Sequence, residues 1–562
     1  MKKYIPIILI FILALVLRFY RLGTFRCLNW DEAAFGYNAY SILLTGKDEY
    51  GVRLPLQFKS VGDYKAPLYV YLTVPVIKVL GLNEFSVRFM PALLGSLSIV
   101  IFYLITKELF KNEKLSLISS LFLAISPWHI QFTKAGADVG IATFFTILGI
   151  YGFIKGAKGT KFGYVLAALG FAGSIYSYFA ERLFIPLISV FLFFYYRGEI
   201  IKTKRNFIIG IMAGLIMIAP IIPSLISTGH QEKILKTTIF GYQRSEDYLY
   251  RINKEDNSKI LYLLYHTSLF ENGWGIINRY VNHFSPSFLF LQGVTNDPRQ
   301  FISNMGVLYL FDLPLILIGL YALLKSKNKV KYLILGWLLV APIPAAITKD
   351  PISARRSFNM VYPFLILSAL GLLEVWRWLK KLSKPMEYIL MLIFSGVLVY
   401  FVCFYLASYY IFTPPKAYAG PAGWQCGYKE LVSYMQGIKK QNKQIIVDTS
   451  YQGPYLFFLF YEKYNPADYQ KQAHLVQDSP GLLGEGVGYD NYTFRPIYWP
   501  RDRCLLGKIF VGPPERLPSK DLKKGEVELL GSIYFPDGKE AFRIVKTITG
   551  PKGYCEKILS GK

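Results

Sequence analysis

Asp31 and Glu32 stand side by side in NWDEAAFGYNAYSILL (29–44), just after the first apolar stretch. Asp48, Glu49, Arg53, Asp63, Tyr64 and Lys65 follow in the same polar segment, among many aromatic residues. A carboxylate in such a setting can take the proton of an acceptor hydroxyl. Adjacent residues do not share a helix face, so only one of Asp31 and Glu32 can point into a given cleft. The structural alternative for Asp31 is a helix cap, a role for which Asn29 competes. A second acid, Asp138, opens the apolar stretch after SPWHIQFTKAGAD (126–138). Its alternative is a helix-start carboxylate at the positive end of the dipole. His129, beside Trp128, reads as a structural histidine near the membrane surface. Lys349, Arg355 and Arg356 crowd the short segment TKDPISARRSFNMVYP (348–363). Paired arginines suit bidentate phosphate contacts; snorkelling to lipid headgroups is their plainer use.

These residues need elements to position them, and the composition says which kind. The chain has 562 residues, 53% of them hydrophobic and only 18% charged, with a mean hydropathy of +0.32. Soluble domains carry about a quarter charged residues. A soluble globular, disordered or fibrous chain is therefore excluded, leaving a polytopic membrane protein with a polar appendage. The net charge of +26 is scattered in short runs rather than gathered in one patch, so no nucleic-acid partner is expected.

A crossing helix needs about 20 apolar residues. Such stretches lie near 4–22, 87–106, 115–131, 138–155, 161–179, 183–196, 206–224, 306–325, 331–348, 357–378 and 386–411. The first has no small-residue cleavage site after it and reads as a retained anchor. The short basic loops 106–114, 155–161, 197–205, 325–331 and 377–384, with Lys2 and Lys3, mark the cytoplasm. Eleven crossings then place the tail outside. The expected fold is an all-α polytopic domain over 1–411 plus a small α/β extracytoplasmic domain over 415–562, in the plasma membrane. The run 66–82 contains Pro67, Pro75 and Lys78 and reads as a re-entrant or interfacial helix. In the tail, 427–440 reads as a helix, 444–449, 508–512 and 527–535 as strands, and PDG (536–538) as a hairpin turn. GEGVG (484–488) misses the dinucleotide pattern. Cys426, Cys504 and Cys555 allow one disulfide with one cysteine over, and no CxxC pair suggests zinc.

Acids, cations and aromatic walls at the outer surface, 23–86 above all, suit a sugar carried on polyprenyl phosphate. Its tail stays in lipid, its phosphate sits among headgroups, and fixed cations can stabilise the phosphate as it leaves. A lipid-linked sugar transporter or flippase is the competing reading. It would place ionisable residues at the midplane and repeat its halves; here the apolar stretches are nearly free of charge and no repeat is seen. A receptor is a third reading, with Trp424, Tyr455 and Trp499 stacking sugars; core packing is their plainer use.

The residues also resemble a family. The Asp31–Glu32 pair after the first span, GDYKAPLYVYL (62–72), FSVRFMPALLGSL (85–97), SPWHIQFTKAGAD (126–138) and the region 341–372 are similar to the GT-C glycosyltransferases. The group concerned contains the dolichyl-phosphate-mannose–protein mannosyltransferases and the lipid A aminoarabinose transferases. The resemblance covers about residues 5–410. It implies an inverting transferase with Asp31 as base in a catalytic set with Glu32 and Asp138. It further implies Lys65 as lipid-phosphate ligand and Arg355 and Arg356 as phosphate contacts. The implied donor is a polyprenyl-phosphate sugar; the acceptor is a protein, glycolipid or envelope glycan. The aminoarabinose transferases carry an acid just before the matching lysine. Here that place is Tyr64, with Asp63 one position back, and both join the candidates for the donor or acceptor side. In the long outer loop 225–305, the run 285–306 reads as re-entering the membrane, and Tyr280, His283 and Asp297 are candidates there. The carboxylates could bind Mg²⁺ or Mn²⁺, but no ligand spacing requires a metal.

Overall fold

A computed structural model describes residues 4–241, 250, 260, 267–414, 423–441, 444–472, 488–551, 554 and 555. GEGVG lies outside them except for Gly488, as does the middle of the loop 225–305. The elements begin with α1 (Ile5–Phe19), α2 (Trp30–Thr45), β1 (Phe58–Ser60), β2 (Asp63–Lys65), α3 (Leu68–Leu80) and α4 (Glu84–Phe110). There follow α5 (Glu113–Ile125), α6 (Pro127–Lys134), α7 (Asp138–Ala157), α8 (Gly163–Ser177) and α9 (Glu181–Tyr195). The chain forms two compact units. Met1–Tyr20, Pro91–Asn296 and Gln300–Tyr409 make the first; Arg21–Met90, Asp297–Arg299 and Tyr410–Lys562 make the second.

Each of the eleven apolar stretches contains a helix, although that in 306–325 begins only at Asp312. Among the described residues, five helices are long and apolar enough to cross a membrane: α4, α7, Lys204–Leu225, Phe358–Leu379 and Lys384–Phe412. The bent pair α5 and α6 makes a sixth if it counts as one span. Burial sorts these helices. In the first unit, α7 and Phe358–Leu379 are 78% buried within the protein over their most apolar windows, whereas Lys384–Phe412 is 6% buried. Leu392, Ile393 and Val399 on the last are exposed, as side chains facing lipid would be.

The 54° bend between α5 and α6 has a visible cause. Pro127 has no N–H for the Leu123 carbonyl, and the Trp128 N–H turns away to the Val307 carbonyl at 3.1 Å. Two carbonyls lose their helical donors. Arg18 of α1, fully buried, supplies them: it donates to Ala124 O at 3.1 Å and Leu123 O at 3.4 Å. The same guanidinium donates to Thr133 Oγ1 at 3.1 Å and to His129 Nδ1 at 2.7 Å. His129 is thus tied through Nδ1 into a buried structural network.

In the second unit, the chain after 444 builds a six-stranded sheet in the order β4-β5-β3-β6-β8-β7. Its strands are β3 (Ile445–Val447), β4 (Gly488–Tyr489), β5 (Tyr492–Phe494), β6 (Ile509–Gly512), β7 (Val527–Tyr534) and β8 (Glu540–Thr547). β3 runs parallel to β5 and β6, and β7–β8 is the expected hairpin. Ile446, Ile497, Trp499, Phe510, Leu517 and Val545 form one core cluster. Trp424, Tyr455 and Trp499 are all buried, so these three rings offer no surface for sugar stacking. The cysteines pair as Cys27–Cys426 and Cys504–Cys555, leaving Cys403 free. The tail thus holds one disulfide of its own, and the cysteine left over, Cys426, finds its partner 399 residues away, in the segment before α2.

That segment and 23–86, read from the sequence as an outer loop, pack in the same unit as the tail. The helix Pro454–Glu462 lies against α2 at Gly36, where an added Cβ would come 2.5 Å from Phe460 and 2.7 Å from Val87. Tyr37 donates to the Tyr464 carbonyl, and Gln470 donates to Ser41 and to the Asp48 carbonyl.

Candidate active site

α2 starts with a capping box. The Asn29 side chain accepts the Glu32 N–H and the Glu32 carboxylate accepts the Asn29 N–H, each at 3.0 Å. Asn29 wins the cap, and this frees Asp31. Glu32 is fully buried and holds Arg88 of α4 through two bonds, Nε–Oε1 at 2.6 Å and Nη2–Oε2 at 3.0 Å. Arg88 spends its remaining donors on the carbonyls of Leu22, Arg26 and Cys27. The Glu32–Arg88 pair therefore ties the segment before α2 to the helix start. Both oxygens of Glu32 are engaged, which answers the question of which acid can face a cleft.

Asp31 is the open one, with its side chain 21% exposed. Lys65 Nζ contacts Oδ1 as an ion pair. Arg299 Nη1 lies 3.5 Å from Oδ2, and its guanidinium stacks 4.6 Å from the Trp30 ring. Arg299 is itself clamped by Asp297, Nε–Oδ1 at 3.1 Å and Nη2–Oδ2 at 3.2 Å. Lys65 is buried, ends β2 opposite Phe58, and lies 3.9 Å from Asp63 Oδ2. Tyr64 pairs with Lys59 in the same strand pair. One carboxylate thus sits between two cations held by separate elements. Sequence reasoning missed Arg299: it is 268 residues from Asp31, and no local pattern marks it.

Glu49 is the other unusual group of this segment. It is fully buried, and burial pushes its carboxyl up to about 8.

Asp138, Arg355, Arg356 and His283 belong to the first unit. Asp138 opens α7, half-buried, and accepts the Val139 N–H at 3.0 Å. Arg356 donates to Thr348 Oγ1 at 3.1 Å and pairs with Asp350, while the Arg355 N–H goes to Gln300 Oε1 at 2.9 Å. His283 has both ring nitrogens committed to backbone: Nδ1 to the Arg279 carbonyl at 2.6 Å and Nε2 to the Ser353 N–H at 3.1 Å. Burial lowers its pKa to about 4, so it is neutral and structural, with no nitrogen left for a substrate. His283, expected on the donor or acceptor side, thus meets backbone groups with both ring nitrogens. Tyr280 likewise donates to the Leu339 carbonyl. Among the described residues, no three His, Cys, Asp or Glu side chains gather as metal ligands would.

The fold is that of the GT-C glycosyltransferases. ArnT from Cupriavidus metallidurans in the apo state superposes with a TM-score of 0.53 at 12% identity, over 97% of this chain and 99% of that one. The same enzyme bound to undecaprenyl phosphate gives 0.51. The Archaeoglobus fulgidus oligosaccharyltransferase, tethered to an acceptor peptide, gives 0.52 at 14% identity, over 83% of this chain and 63% of that one. Within the sequence, the family model for dolichyl-phosphate-mannose-protein mannosyltransferases matches residues 64–223, beginning one residue before Lys65. An uncharacterized protein of Aquifex aeolicus (strain VF5) is 28% identical over 151 residues; the match spans 27% of this chain and 29% of that relative.

Proposed function

We propose that the protein is an inverting glycosyltransferase. It moves a sugar from a polyprenyl-phosphate donor to a hydroxyl acceptor at the outer face of the membrane. The observation that carries this reading is the Asp31 carboxylate held between Lys65 and Arg299. Asp31 takes the proton of the acceptor hydroxyl. The acceptor oxygen bonds to the anomeric carbon as the bond from that carbon to the phosphate oxygen breaks on the opposite face. Lys65 and Arg299, which neutralise Asp31 in the free protein, stabilise the phosphate as it gains negative charge. Glu32 serves by position, through Arg88 and the capping box. Asp138, Arg355 and Arg356 are assigned to the same reaction, the arginines as further phosphate contacts. Eleven crossings with the N-terminus inside set the sidedness, and 415–562 is the outward domain. Support comes from the relatives: ArnT binds undecaprenyl phosphate, and the oligosaccharyltransferase takes an acceptor peptide.

The test uses purified protein, labelled polyprenyl-phosphate sugars and a cell-envelope extract as acceptor source. Wild-type protein forms a labelled product. Asp31→Asn stays folded and inserted, and turnover drops by about 10²-fold or more. Near-normal turnover in that variant removes Asp31 as the base.

A further inference from the structure

Asp31 lies in the first turn of α2, where backbone N–H groups have no partner within the helix. Asn29 takes the Glu32 N–H. The Trp30 N–H is taken from elsewhere: Gln425 Oε1 accepts it at 3.1 Å, across 395 residues. Gln425 is fixed on both sides. Cys426 is bonded to Cys27, and the Trp424 ring lies 5.2 Å from the Arg26 guanidinium. The backbone donor next to Asp31 is therefore capped by the C-terminal segment.

The same segment holds the other side of the ion pair. β1 and β2 are joined by Val61 and Gly62, with φ +51° and +63°, the pair of left-handed residues of a mirror-type hairpin turn. Glycine adopts that conformation freely, but a β-branched valine there is a strained outlier. Such outliers persist where the surroundings over-determine them. Here the surroundings are the start of the helix Pro454–Glu462. The Tyr455 hydroxyl accepts the Val61 N–H at 3.3 Å, and the buried Val61 side chain packs on Gly453, where an added Cβ would crowd it at 3.1 Å. The strand leaving this turn ends in Lys65.

We infer that the C-terminal segment is part of the catalytic apparatus, with Gln425 and Tyr455 as positioning residues that set the approach of Asp31 to Lys65. This rests on the base and phosphate roles proposed above. Gln425 acts on the proton-accepting side, so its loss reaches turnover. Tyr455 acts on the strand that presents Lys65, so its loss reaches donor affinity.

The experiment uses the full-length protein in lipid nanodiscs, with labelled polyprenyl-phosphate sugar as donor and undecaprenyl phosphate as binding probe. Gln425→Met keeps the side-chain length and removes the acceptor oxygen. It is expected to lower kcat about 10-fold with donor KM within about twofold of wild type, a misplacement effect rather than a lost contact. Gln425→Glu keeps an acceptor oxygen and restores kcat. Tyr455→Phe is expected to weaken undecaprenyl phosphate binding about threefold through the loosened turn, at a nearly unchanged kcat. The inference is overturned if Gln425→Met turns over like wild type while Asp31→Asn is inactive. It is equally overturned if the Met and Glu variants are impaired alike, because the acceptor oxygen then plays no part. If Gln425→Met does not fold, Tyr455→Phe decides: unchanged kcat and probe binding overturn the inference. Wild-type activity in Asp31→Asn would instead bring down the base assignment, and this inference with it.

Discussion

Arg88 and Lys65 meet adjacent acids at the start of one helix, yet the two ion pairs are built differently. Around Arg88 everything is closed: the guanidinium and Glu32 are both fully buried, and the donors left over go to three backbone carbonyls. Around Asp31 the arrangement is open: the carboxylate and Arg299 are about one-fifth exposed, and its two cations come from separate elements. A buried pair with every group satisfied resists change, because removing one partner leaves a charge stranded. A carboxylate that is partly exposed can exchange its partners for those of a substrate. The first unit places another buried arginine, Arg18, across the break left by Pro127, where two of its five contacts go to the carbonyls of Leu123 and Ala124. Closed networks here build the frame, and the open one is left for chemistry.

Breaking the closed pair gives the largest expected effect. Arg88→Met strands the buried Glu32 and releases the carbonyls of Leu22, Arg26 and Cys27. We expect a stability loss of about 3–5 kcal/mol, as for other buried pairs that lose one partner. The measurement is thermal unfolding in detergent. A variant as stable as wild type would show that the pair is not the frame it resembles.

Breaking the open pair leaves the fold in place and costs activity. Lys65→Met is expected to lower kcat/KM by about 10²-fold, the scale of one lost donor to developing charge. Arg299→Ala, whose reach to Asp31 is longer at 3.5 Å, should cost about tenfold, with the unfolding midpoint of both variants near wild type. Equal losses of stability and activity in these variants would erase the distinction between the two pairs.

That distinction was only half legible in the sequence. The spacing Asn29-x-x-Glu32 is a capping-box signal, and it could have settled which acid is spoken for. Long apolar runs made the eleven helical stretches readable, and Pro127 marks the break in the third. Contacts that depend on the folded chain were not readable. Arg299 reaches Asp31 across 268 residues, and Cys27 reaches Cys426 across 399. Nor could composition tell that Trp424, Tyr455 and Trp499 are buried, since aromatics serve surfaces and cores alike. His283 looked like a candidate because titratable side chains invite that reading. Its two backbone partners come from Arg279, one turn away, and from Ser353, 70 residues on.

Glu49 sharpens the same comparison through pH. It is as buried as Glu32 but has no arginine to hold its charge, and burial raises its pKa from 4.5 to about 8. The folded protein therefore favours the protonated form. The sign follows: stability from this group is whole below pH 4.5, falls as pH rises, and is gone once pH passes about 8. Within that window the slope from one such group approaches about 1.4 kcal/mol per pH unit. Glu49→Gln keeps the shape and cannot ionise. Its unfolding midpoint should change less between pH 5 and pH 8 than that of wild type, on the scale set by that slope. Parallel pH profiles for the two proteins would mean that the Glu49 carboxyl is charged and satisfied in the fold. It would then belong with Glu32 among the closed sites.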